Sequence, residues 1–356
     1  MERNLMKGNE ALAEAAIRAG CKCFFGYPIT PQTEISAYMA KRMPKVGGVF
    51  LQAESEIAAI NMVYGCAGSG VRCMTSSSSP GISLKSEGVS YMAGADLPCV
   101  IVNVMRGGPG LGGIQPSQSD YWQATKALGH GDFQILVFAP CSVQEMADCT
   151  GRAFDLADKY RMPAMILADG LLGQMMEPVT FGSDNIAQHS PEEKPWAACG
   201  HKNKRSHNIV NSLYLQAEEL ERLNIERFRR YEIVKSELHE AESYRTDDAE
   251  IVVAAYGSAA RLAKAAVDLA RERGIKAGLV RPVTLWPFPT QEINSACRNA
   301  KKALCVEMSM GQMVDDVKLA LECRIPVEFF GRTGGVVPKP SEILQKLEQM
   351  NAGEVE

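Results

Sequence analysis

Gln52-Ala-Glu-Ser-Glu56-Ile-Ala-Ala-Ile-Asn-Met-Val-Tyr-Gly65 is the stretch that decides the fold, because it leads from a short apolar strand, Val49-Phe50-Leu51, into an apolar helix. A strand followed directly by a helix is the repeating step of an α/β fold. Glu56 stands at the head of this helix, where a carboxylate loses solvation and can hold or share a proton near neutral pH. The alternative is a first-turn glutamate favoured by the helix dipole, with Glu54 as its equal.

The same alternation of strands and helices extends from residue 8 to residue 178. Predicted helices cover residues 8–19, 34–43, 54–65, 82–95 and 143–159, and predicted strands cover residues 23–26, 49–51, 71–75, 99–105, 135–138 and 164–167. Strand 99–105 is continuously apolar, which is typical of a strand buried on both faces of a parallel sheet. The pattern predicts an α/β fold with a doubly wound, mostly parallel sheet.

The remainder of the chain divides into two further segments. Residues 208–242 are charged and helical in pattern, with sparse apolar anchors at Leu213, Leu215, Leu220 and Leu223. They predict a connector outside the core, which could also serve as a surface for another subunit. A smaller α/β unit follows, with strands at 251–256, 277–281, 302–308 and 325–330, a helix at 259–274 and a proline-rich loop at 282–289. The predicted domains are therefore 1–178, 179–248 and 249–356.

Composition excludes several classes of protein. The 356 residues are 46% hydrophobic and 22% charged, and the net charge of -4 gives no reason to expect nucleic acid or an anionic membrane as a partner. The chain has neither a membrane-spanning apolar run nor a signal-peptide pattern. Its 11 cysteines are scattered and contain no Cys-x-x-Cys, which predicts reduced thiols, a cytoplasmic location and no metal or iron–sulfur site within the chain.

Three loops follow predicted strands at the edge where open α/β sheets bind ligands. The loop Gly26–Pro31 presents the Thr30 hydroxyl, although Thr30 could be only a helix N-cap. The loop Thr75–Gly81 could hold an anion or a polar ring edge, or simply cap the next helix. The loop Met105–Gly113 carries Arg106, a candidate clamp for a carboxylate, for which the alternative is a structural salt bridge.

The glycine-rich part of the third loop also suggests a dinucleotide site. However, Gly108-x-Gly110-x-Gly112 does not match the spacing Gly-x-Gly-x-x-Gly, and Ile114-Gln-Pro-Ser-Gln118 is a poor helix start. No acidic residue ends a following strand at the expected distance, and a Walker A loop is absent. The pattern therefore argues against a dinucleotide or P-loop site.

Glu56 with a glycine nine positions on, Tyr27-Pro-Ile-Thr-Pro31 and Ser79-Pro80-Gly81 together resemble the pyrimidine-binding domain of thiamine diphosphate enzymes. The Tyr-Pro-Ile-Thr-Pro string, with Arg106 after Leu97-Pro98, resembles the α chain of 2-oxoacid:ferredoxin oxidoreductases over almost the whole sequence. Residues 249–340 resemble a transketolase C-terminal-type domain. Within the family, residues 107–118 and the tetraserine loop are most similar to the 3-methyl-2-oxobutanoate (2-oxoisovalerate) branch.

The resemblance implies a role for particular residues. Glu56 would be the cofactor-activating acid, and Thr30 and Arg106 would bind the carboxylate and keto group of the substrate. The predicted cofactor-binding residues, besides Glu56, are Tyr27, Pro28, Ile29 and Ser79. Many thiamine enzymes have glycine at the position of Ser79, so the loop could approach the cofactor less closely here.

The sequence lacks the Gly-Asp-Gly signature with which thiamine enzymes hold Mg²⁺ and the diphosphate. The resemblance therefore implies that thiamine diphosphate is shared with a diphosphate-binding β-type subunit, and that Mg²⁺ and iron–sulfur clusters lie on partners. The further partners implied are a γ-type subunit, a ferredoxin-like δ-type subunit, ferredoxin and coenzyme A.

The activity implied is coenzyme A-dependent oxidative decarboxylation of a 2-oxoacid, with branched-chain 3-methyl-2-oxobutanoate as the substrate. The alternatives are 2-oxoglutarate or pyruvate as the substrate, a non-redox carboligase or transketolase-like half-enzyme, and a non-catalytic scaffold subunit.

Overall fold

The computed structural model describes residues 3–182, 187 and 193–353, which form three β-sheets flanked by helices. The strands are β1 (Asn4–Lys7), β2 (Cys23–Gly26), β3 (Val49–Gln52), β4 (Cys73–Ser77), β5 (Val100–Met105), β6 (Leu136–Phe138), β7 (Ala164–Asp169), β8 (Met176–Val179), β9 (Ala241–Tyr244), β10 (Ile251–Ala254), β11 (Ala277–Pro282), β12 (Thr284–Trp286), β13 (Lys302–Glu307) and β14 (Val327–Gly331). The predicted domain ranges extend beyond the described residues, and their boundaries stay a prediction.

Helices follow most of these strands. They are α1 (Gly8–Arg18), α2 (Thr33–Arg42), α3 (Glu56–Gly68), α4 (Ser79–Gly94), α5 (Val143–Tyr160), α6 (Gly170–Gln174), α7 (Ala217–Glu237), α8 (Gly257–Glu272), α9 (Thr290–Ala296), α10 (Met313–Ala320) and α11 (Pro340–Ala352). A short 3₁₀ turn covers Met43–Val46, and a π-helical turn covers Gln123–Ala127. Within the described part of the chain, no helix is long and apolar enough to cross a membrane.

The large sheet has seven strands in the order β12-β6-β7-β5-β4-β2-β3, and all its pairs are parallel except β12 with β6. This confirms the predicted doubly wound, mostly parallel sheet. The chain runs from β2 outwards to β3 and then returns to β4 on the other side of β2. The winding direction therefore reverses between β2 and β4, and open α/β sheets bind ligands at the carboxyl ends of strands at such a switch point.

The smaller sheet has five strands in the order β14-β13-β10-β11-β9, and β9 runs antiparallel to β11. β9 lies inside the segment predicted to be a connector. The prediction of a loop at 282–289 was also wrong in part, because Thr284–Trp286 forms β12. This strand pairs with β6 and is the outermost strand on that side of the large sheet. A three-residue strand flanked by prolines shows no periodicity, so only pairing with a distant strand reveals it.

The charged segment 208–242 is helical only over α7, and it does not stay outside the core. The predicted anchors Leu213 and Leu215 are 73% and 85% exposed. The residues of α7 that are buried instead are Arg227, Tyr231 and Val234. The ring of Tyr231 packs edge-on against Trp286, with 5.6 Å between ring centroids. The second half of the segment therefore belongs to the hydrophobic core.

Buried hydrogen bonds join the two α/β units beneath the glycine-rich loop. The backbone NH of Gln118 donates to the carbonyl of Met308 over 2.8 Å, and its side-chain amide donates to the carbonyl of Tyr256 over 2.8 Å. Ser258 Oγ donates to Asp169 Oδ1 over 2.8 Å, and burial raises the pKa of that carboxyl. These bonds anchor the end of the loop that begins at Arg106.

Candidate active site

The three loops singled out in the sequence follow β2, β4 and β5, which places them at one edge of the large sheet beside the switch point. Contacts between the loops show that they converge. Arg106 Nη1 donates to the carbonyl of Thr30 over 3.0 Å, and the backbone NH of Arg106 donates to Ser79 Oγ over 3.1 Å. The third loop, residues 107–113, closes as a flap in which the NH of Gly113 donates to the carbonyl of Gly107 over 2.9 Å.

Glu56 is the first residue of α3, and its carboxylate is buried at the same edge. Ser55 caps the helix, because its Oγ accepts a hydrogen bond of 3.2 Å from the NH of Ala58. Glu56 is only 6% exposed, whereas Glu54 is exposed. Of the two acids that the sequence could not separate, the fold therefore buries Glu56 and leaves Glu54 in solvent.

Gly81, in the first turn of α4, allows the serine loop to lie directly against Glu56. A Cβ atom at position 81 would stand 2.6 Å from Glu56 Oε1 and 2.1 Å from Ser77 Oγ, so any side chain there would force Glu56 or Ser77 to shift. The hydroxyls of Ser77 and Ser78 are buried and have no hydrogen-bond partner among the described residues. Unpaired buried polar groups are costly and indicate a missing partner. The Glu56 carboxylate beside the unpaired Ser77 hydroxyl suits the polar edge of a heterocycle.

Arg106 ties two of the loops together and keeps unused hydrogen-bonding capacity. Its side chain is 7% exposed, and Nη1 and Nη2 donate to the carbonyls of Thr30 and Leu111 over 3.0 and 3.2 Å. Nε is buried without a partner among the described residues. No carboxylate in the described part of the chain forms an ion pair with Arg106, so the salt-bridge alternative finds no support there. A guanidinium with a free Nε–H remains able to bind a carboxylate.

Ser79 is engaged within the protein through a buried polar network. Its Oγ donates to Asp120 Oδ2 over 2.5 Å, and Asn103 Nδ2 donates to the same oxygen over 3.0 Å. Burial raises the pKa of Asp120. This network joins the start of α4 to β5, the strand that Arg106 follows, so the Ser79 hydroxyl positions the loop. Its contact with a cofactor stays a prediction.

Sequence reasoning missed Asn103 and Asp120. Asn103 is the one polar residue in the otherwise apolar strand Val100–Met105, and it is fully buried. A buried side-chain amide must be hydrogen-bonded, so this position signalled a polar network in the sequence. Asp120 gave no such signal, because it lies in an irregular polar segment.

The loop Tyr27–Ile29 forms the open mouth of the site. Tyr27 is 36% exposed, Pro28 is exposed and Ile29 is half-buried. Gln32 is fully buried behind the loop, donating to the carbonyl of Tyr27 over 3.2 Å and accepting from Ser76 Oγ over 2.6 Å. Gln32 thus holds the mouth against β4. Thr30 is exposed. Its contact with a substrate stays a prediction.

Among the described residues, no group of three or more His, Cys, Asp or Glu side chains is placed to hold a metal ion.

The sequence matches two families of known proteins. Residues 14–256 match the family described as pyruvate flavodoxin/ferredoxin oxidoreductase, thiamine diphosphate-binding, and residues 249–343 match pyruvate:ferredoxin oxidoreductase core domain II. The chain is 50% identical over 354 residues to ketoisovalerate oxidoreductase subunit VorB of Methanothermobacter marburgensis, and the alignment covers 99% of both chains. It is 38% identical over 390 residues to 2-oxoglutarate synthase subunit KorA of Methanothermobacter thermautotrophicus, covering 98% of this chain and 99% of that relative.

A solved structure has the same fold over nearly the entire length. It is 2-oxoglutarate:ferredoxin oxidoreductase from Magnetococcus marinus with 2-oxoglutarate, coenzyme A and succinyl-CoA bound, and it is 26% identical with a TM-score of 0.83. The similarity covers 98% of this chain and 65% of the Magnetococcus chain, so that chain contains a large part that has no counterpart here.

Proposed function

The chain belongs to the pyruvate flavodoxin/ferredoxin oxidoreductase family, and we propose that it is the pyrimidine-binding subunit of a thiamine diphosphate-dependent oxidoreductase that passes electrons from a branched-chain 2-oxoacid to ferredoxin. The family and its thiamine diphosphate-binding domain confirm the resemblance drawn from Glu56, Tyr27–Pro31 and Ser79–Gly81. The proposed substrate is 3-methyl-2-oxobutanoate and the proposed acyl acceptor is coenzyme A.

One observation carries the proposal: a buried glutamate at the switch point, packed against a glycine and beside the unpaired hydroxyl of Ser77. This arrangement fits an aminopyrimidine ring, which offers both donors and acceptors at its edge. Bound thiamine diphosphate would supply the carbanion chemistry by which a 2-oxoacid loses CO₂. The chain's own part is to hold a proton at the Glu56 carboxylate, to orient the ring through Ser77, and to bind the substrate carboxylate through Arg106.

The exposed apolar residues of the flap support the proposal that the substrate has an apolar side chain. Leu111 and Ile114 are 83% and 58% exposed beside Arg106, and Tyr27 faces the same mouth. A branched aliphatic side chain would gain from burial against such residues, whereas the second carboxylate of 2-oxoglutarate would need a cation there. The identity of 50% to a ketoisovalerate oxidoreductase subunit, against 38% to a 2-oxoglutarate synthase subunit, supports the same choice.

Exposed apolar residues beside the site support the proposal that a partner chain completes the site. Ile57, in the first turn of α3, and Leu84, in the second turn of α4, are each more than 50% exposed. Exposed apolar patches of this kind mark protein interfaces. We propose that a β-type subunit covers this area and brings the diphosphate and Mg²⁺ sites, while γ-type and δ-type subunits carry the clusters that pass electrons to ferredoxin.

The substrate proposal is tested with the native complex, purified without oxygen and assayed by reduction of a viologen dye in the presence of coenzyme A. We expect kcat/KM for 3-methyl-2-oxobutanoate to exceed that for 2-oxoglutarate and pyruvate by at least about tenfold. A missing apolar contact costs about 1–3 kcal/mol, and an unpaired buried carboxylate costs more. Preference for 2-oxoglutarate would overturn the branch assignment. Decarboxylation without dye reduction would favour the non-redox alternative.

Replacing Gly81 with alanine is expected to lower turnover by about 10²-fold, because the added methyl group must push Glu56 or Ser77 out of position. Turnover is compared with thermal stability in the assembled enzyme. The matched control is Gly151→Ala in α5, where a Cβ atom would meet nothing within 4 Å. That control should keep full turnover and gain up to about 1 kcal/mol of helix stability. Equal turnover in both variants would contradict the close packing of Glu56 on α4.

A further inference from the structure

Asp120 is a buried acidic residue that joins the start of α4 to β5. The residue is 9% exposed, and its Oδ2 accepts a hydrogen bond of 2.5 Å from Ser79 Oγ and one of 3.0 Å from Asn103 Nδ2. The side-chain oxygen of Asn103 accepts a third bond, of 3.2 Å, from the backbone NH of Ser79. The three residues therefore form a closed set of hydrogen bonds, which fixes the position of the Ser79 hydroxyl.

The Ser79 hydroxyl connects this set of bonds to the backbone of Arg106. The NH of Arg106 donates to Ser79 Oγ over 3.1 Å, and the carbonyl oxygen of Arg106 lies 3.2 Å from the same atom. A hydroxyl has one hydrogen to donate, so Asp120 and the Arg106 carbonyl compete for it. The contact with Asp120 is the shorter, at 2.5 Å, so the hydrogen points to Asp120 and a lone pair remains for the Arg106 NH. Asp120 therefore sets the direction of the bond that holds the Arg106 backbone.

The smaller α/β unit holds the segment that carries Asp120. Gln312, between β13 and α10, accepts a hydrogen bond of 2.8 Å from the NH of Trp122 at its side-chain oxygen. The side-chain nitrogen of Gln312 donates to the carbonyl of Ser119 over 2.8 Å. These two contacts lie on either side of Asp120 in the sequence, and Gln118, two residues before Asp120, is also bonded to this unit. The position of the Asp120 backbone is therefore set by the smaller unit.

We propose that Asp120 is a positioning residue for Arg106, and that Gln312 of the smaller unit fixes Asp120 in turn, so that affinity for the 2-oxoacid depends on both residues. This inference rests on the proposed function, in which Arg106 binds the substrate carboxylate. A guanidinium binds a carboxylate at two points only where its own backbone is held in place, because a small displacement lengthens both bonds. The side chain of Arg106 is bonded to the carbonyls of two loops, whereas its backbone is bonded to the buried set around Asp120.

The first test needs no turnover. Amide hydrogen exchange of the assembled complex without 2-oxoacid is followed in overlapping peptides that contain Arg106. In Asp120→Ala we expect the Arg106 amide to exchange at least about tenfold faster than in wild type, because the Ser79 hydroxyl is then free to turn away from it. The matched control is Asp132→Ala, which removes an exposed aspartate and should leave the exchange rate unchanged. A wild-type rate at Arg106 in Asp120→Ala overturns the proposal.

The second test separates a positioning role from a structural one by steady-state kinetics of the assembled complex. In Asp120→Ala the KM for 3-methyl-2-oxobutanoate should rise by about tenfold, while kcat and the affinity for thiamine diphosphate stay within about threefold of wild type. Asp120→Asn keeps an oxygen that can accept from Ser79 and Asn103, so its KM should stay within about threefold of wild type. An unchanged KM in Asp120→Ala, or an equal loss of thiamine diphosphate affinity, contradicts the positioning role.

The third test changes only the smaller unit, so it does not depend on folding of the Asp120 variants. Gln312 is half-buried, and Gln312→Ala should raise the KM for 3-methyl-2-oxobutanoate by about threefold with kcat unchanged. In the Asp120→Ala background the same change should raise KM no further, because both variants act through one contact. Gln345→Ala, which removes an exposed glutamine of α11, is the control and should leave KM unchanged. Equal KM in Gln312→Ala and Gln345→Ala overturns the role of the smaller unit.

The exchange experiment also separates this inference from the proposed function. A wild-type complex that binds thiamine diphosphate but oxidises no 2-oxoacid would refute the proposed function. Faster exchange at Arg106 in Asp120→Ala would still establish that Asp120 holds the Arg106 backbone, because that measurement requires neither substrate nor turnover.

Discussion

Glu56→Gln is expected to lower kcat of the assembled enzyme by at least about 10²-fold, the usual contribution of a positioned acid or base, while subunit assembly and thermal stability remain close to wild type. Glutamine preserves the shape of the side chain but cannot hold a proton in exchange with a ring nitrogen. The residue is 6% exposed and packed against Gly81, so the side chain at position 56 is confined and glutamine should occupy the same place. Steady-state turnover with 3-methyl-2-oxobutanoate and size-exclusion chromatography of the complex measure the two halves of this prediction.

Glu54→Gln is the matched control, because it makes the same chemical change two residues earlier on an exposed side chain. Turnover of this variant should stay within about twofold of wild type, as for most surface substitutions. If Glu54→Gln were the inactive variant and Glu56→Gln the active one, the assignment of the acid would be wrong. Full activity of both would support a scaffold role for the chain.

Arg106→Ala is expected to weaken transition-state stabilisation by about 2–5 kcal/mol, the cost of removing one partner from a buried charge contact. The loss should appear mainly as a raised KM for the 2-oxoacid, because the guanidinium would bind the substrate carboxylate both before and during reaction. Measuring kcat and KM separately, with the affinity for thiamine diphosphate as a third quantity, distinguishes substrate binding from damage to the cofactor site.

Arg106→Lys separates the charge from the geometry. Arg106 also joins the loops through the carbonyls of Thr30 and Leu111, and a lysine cannot make both contacts together with a two-point contact to a carboxylate. We expect this variant to lie between wild type and Arg106→Ala in KM. An Arg106→Ala enzyme with unchanged KM and kcat would exclude the clamp and leave Arg106 only its bonds between loops.

Local pattern predicted a large part of the fold and the location of the site. The spacing of apolar residues is set by the geometry of each strand and helix, so β5, α3 and α5 were predictable within a few residues. Parallel strands place their carboxyl ends at one edge, and that rule brings the loops after β2, β4 and β5 together. The prediction that the loops carrying Thr30, Ser79 and Arg106 lie at one ligand-binding edge depends only on this rule. The domain boundaries remain a prediction.

What only the tertiary structure decided is which polar groups are buried, because burial depends on atoms that are distant in sequence. Thr30 and Arg106 are 76 residues apart, and Ser79 and Asp120 are 41 apart. The choice between Glu54 and Glu56, the burial of Lys85 and the pairing of β12 with β6 all depend on such partners. Periodicity describes one element at a time. The side chains of Glu56 and Lys85, by contrast, become buried only when α3 and α4 pack together.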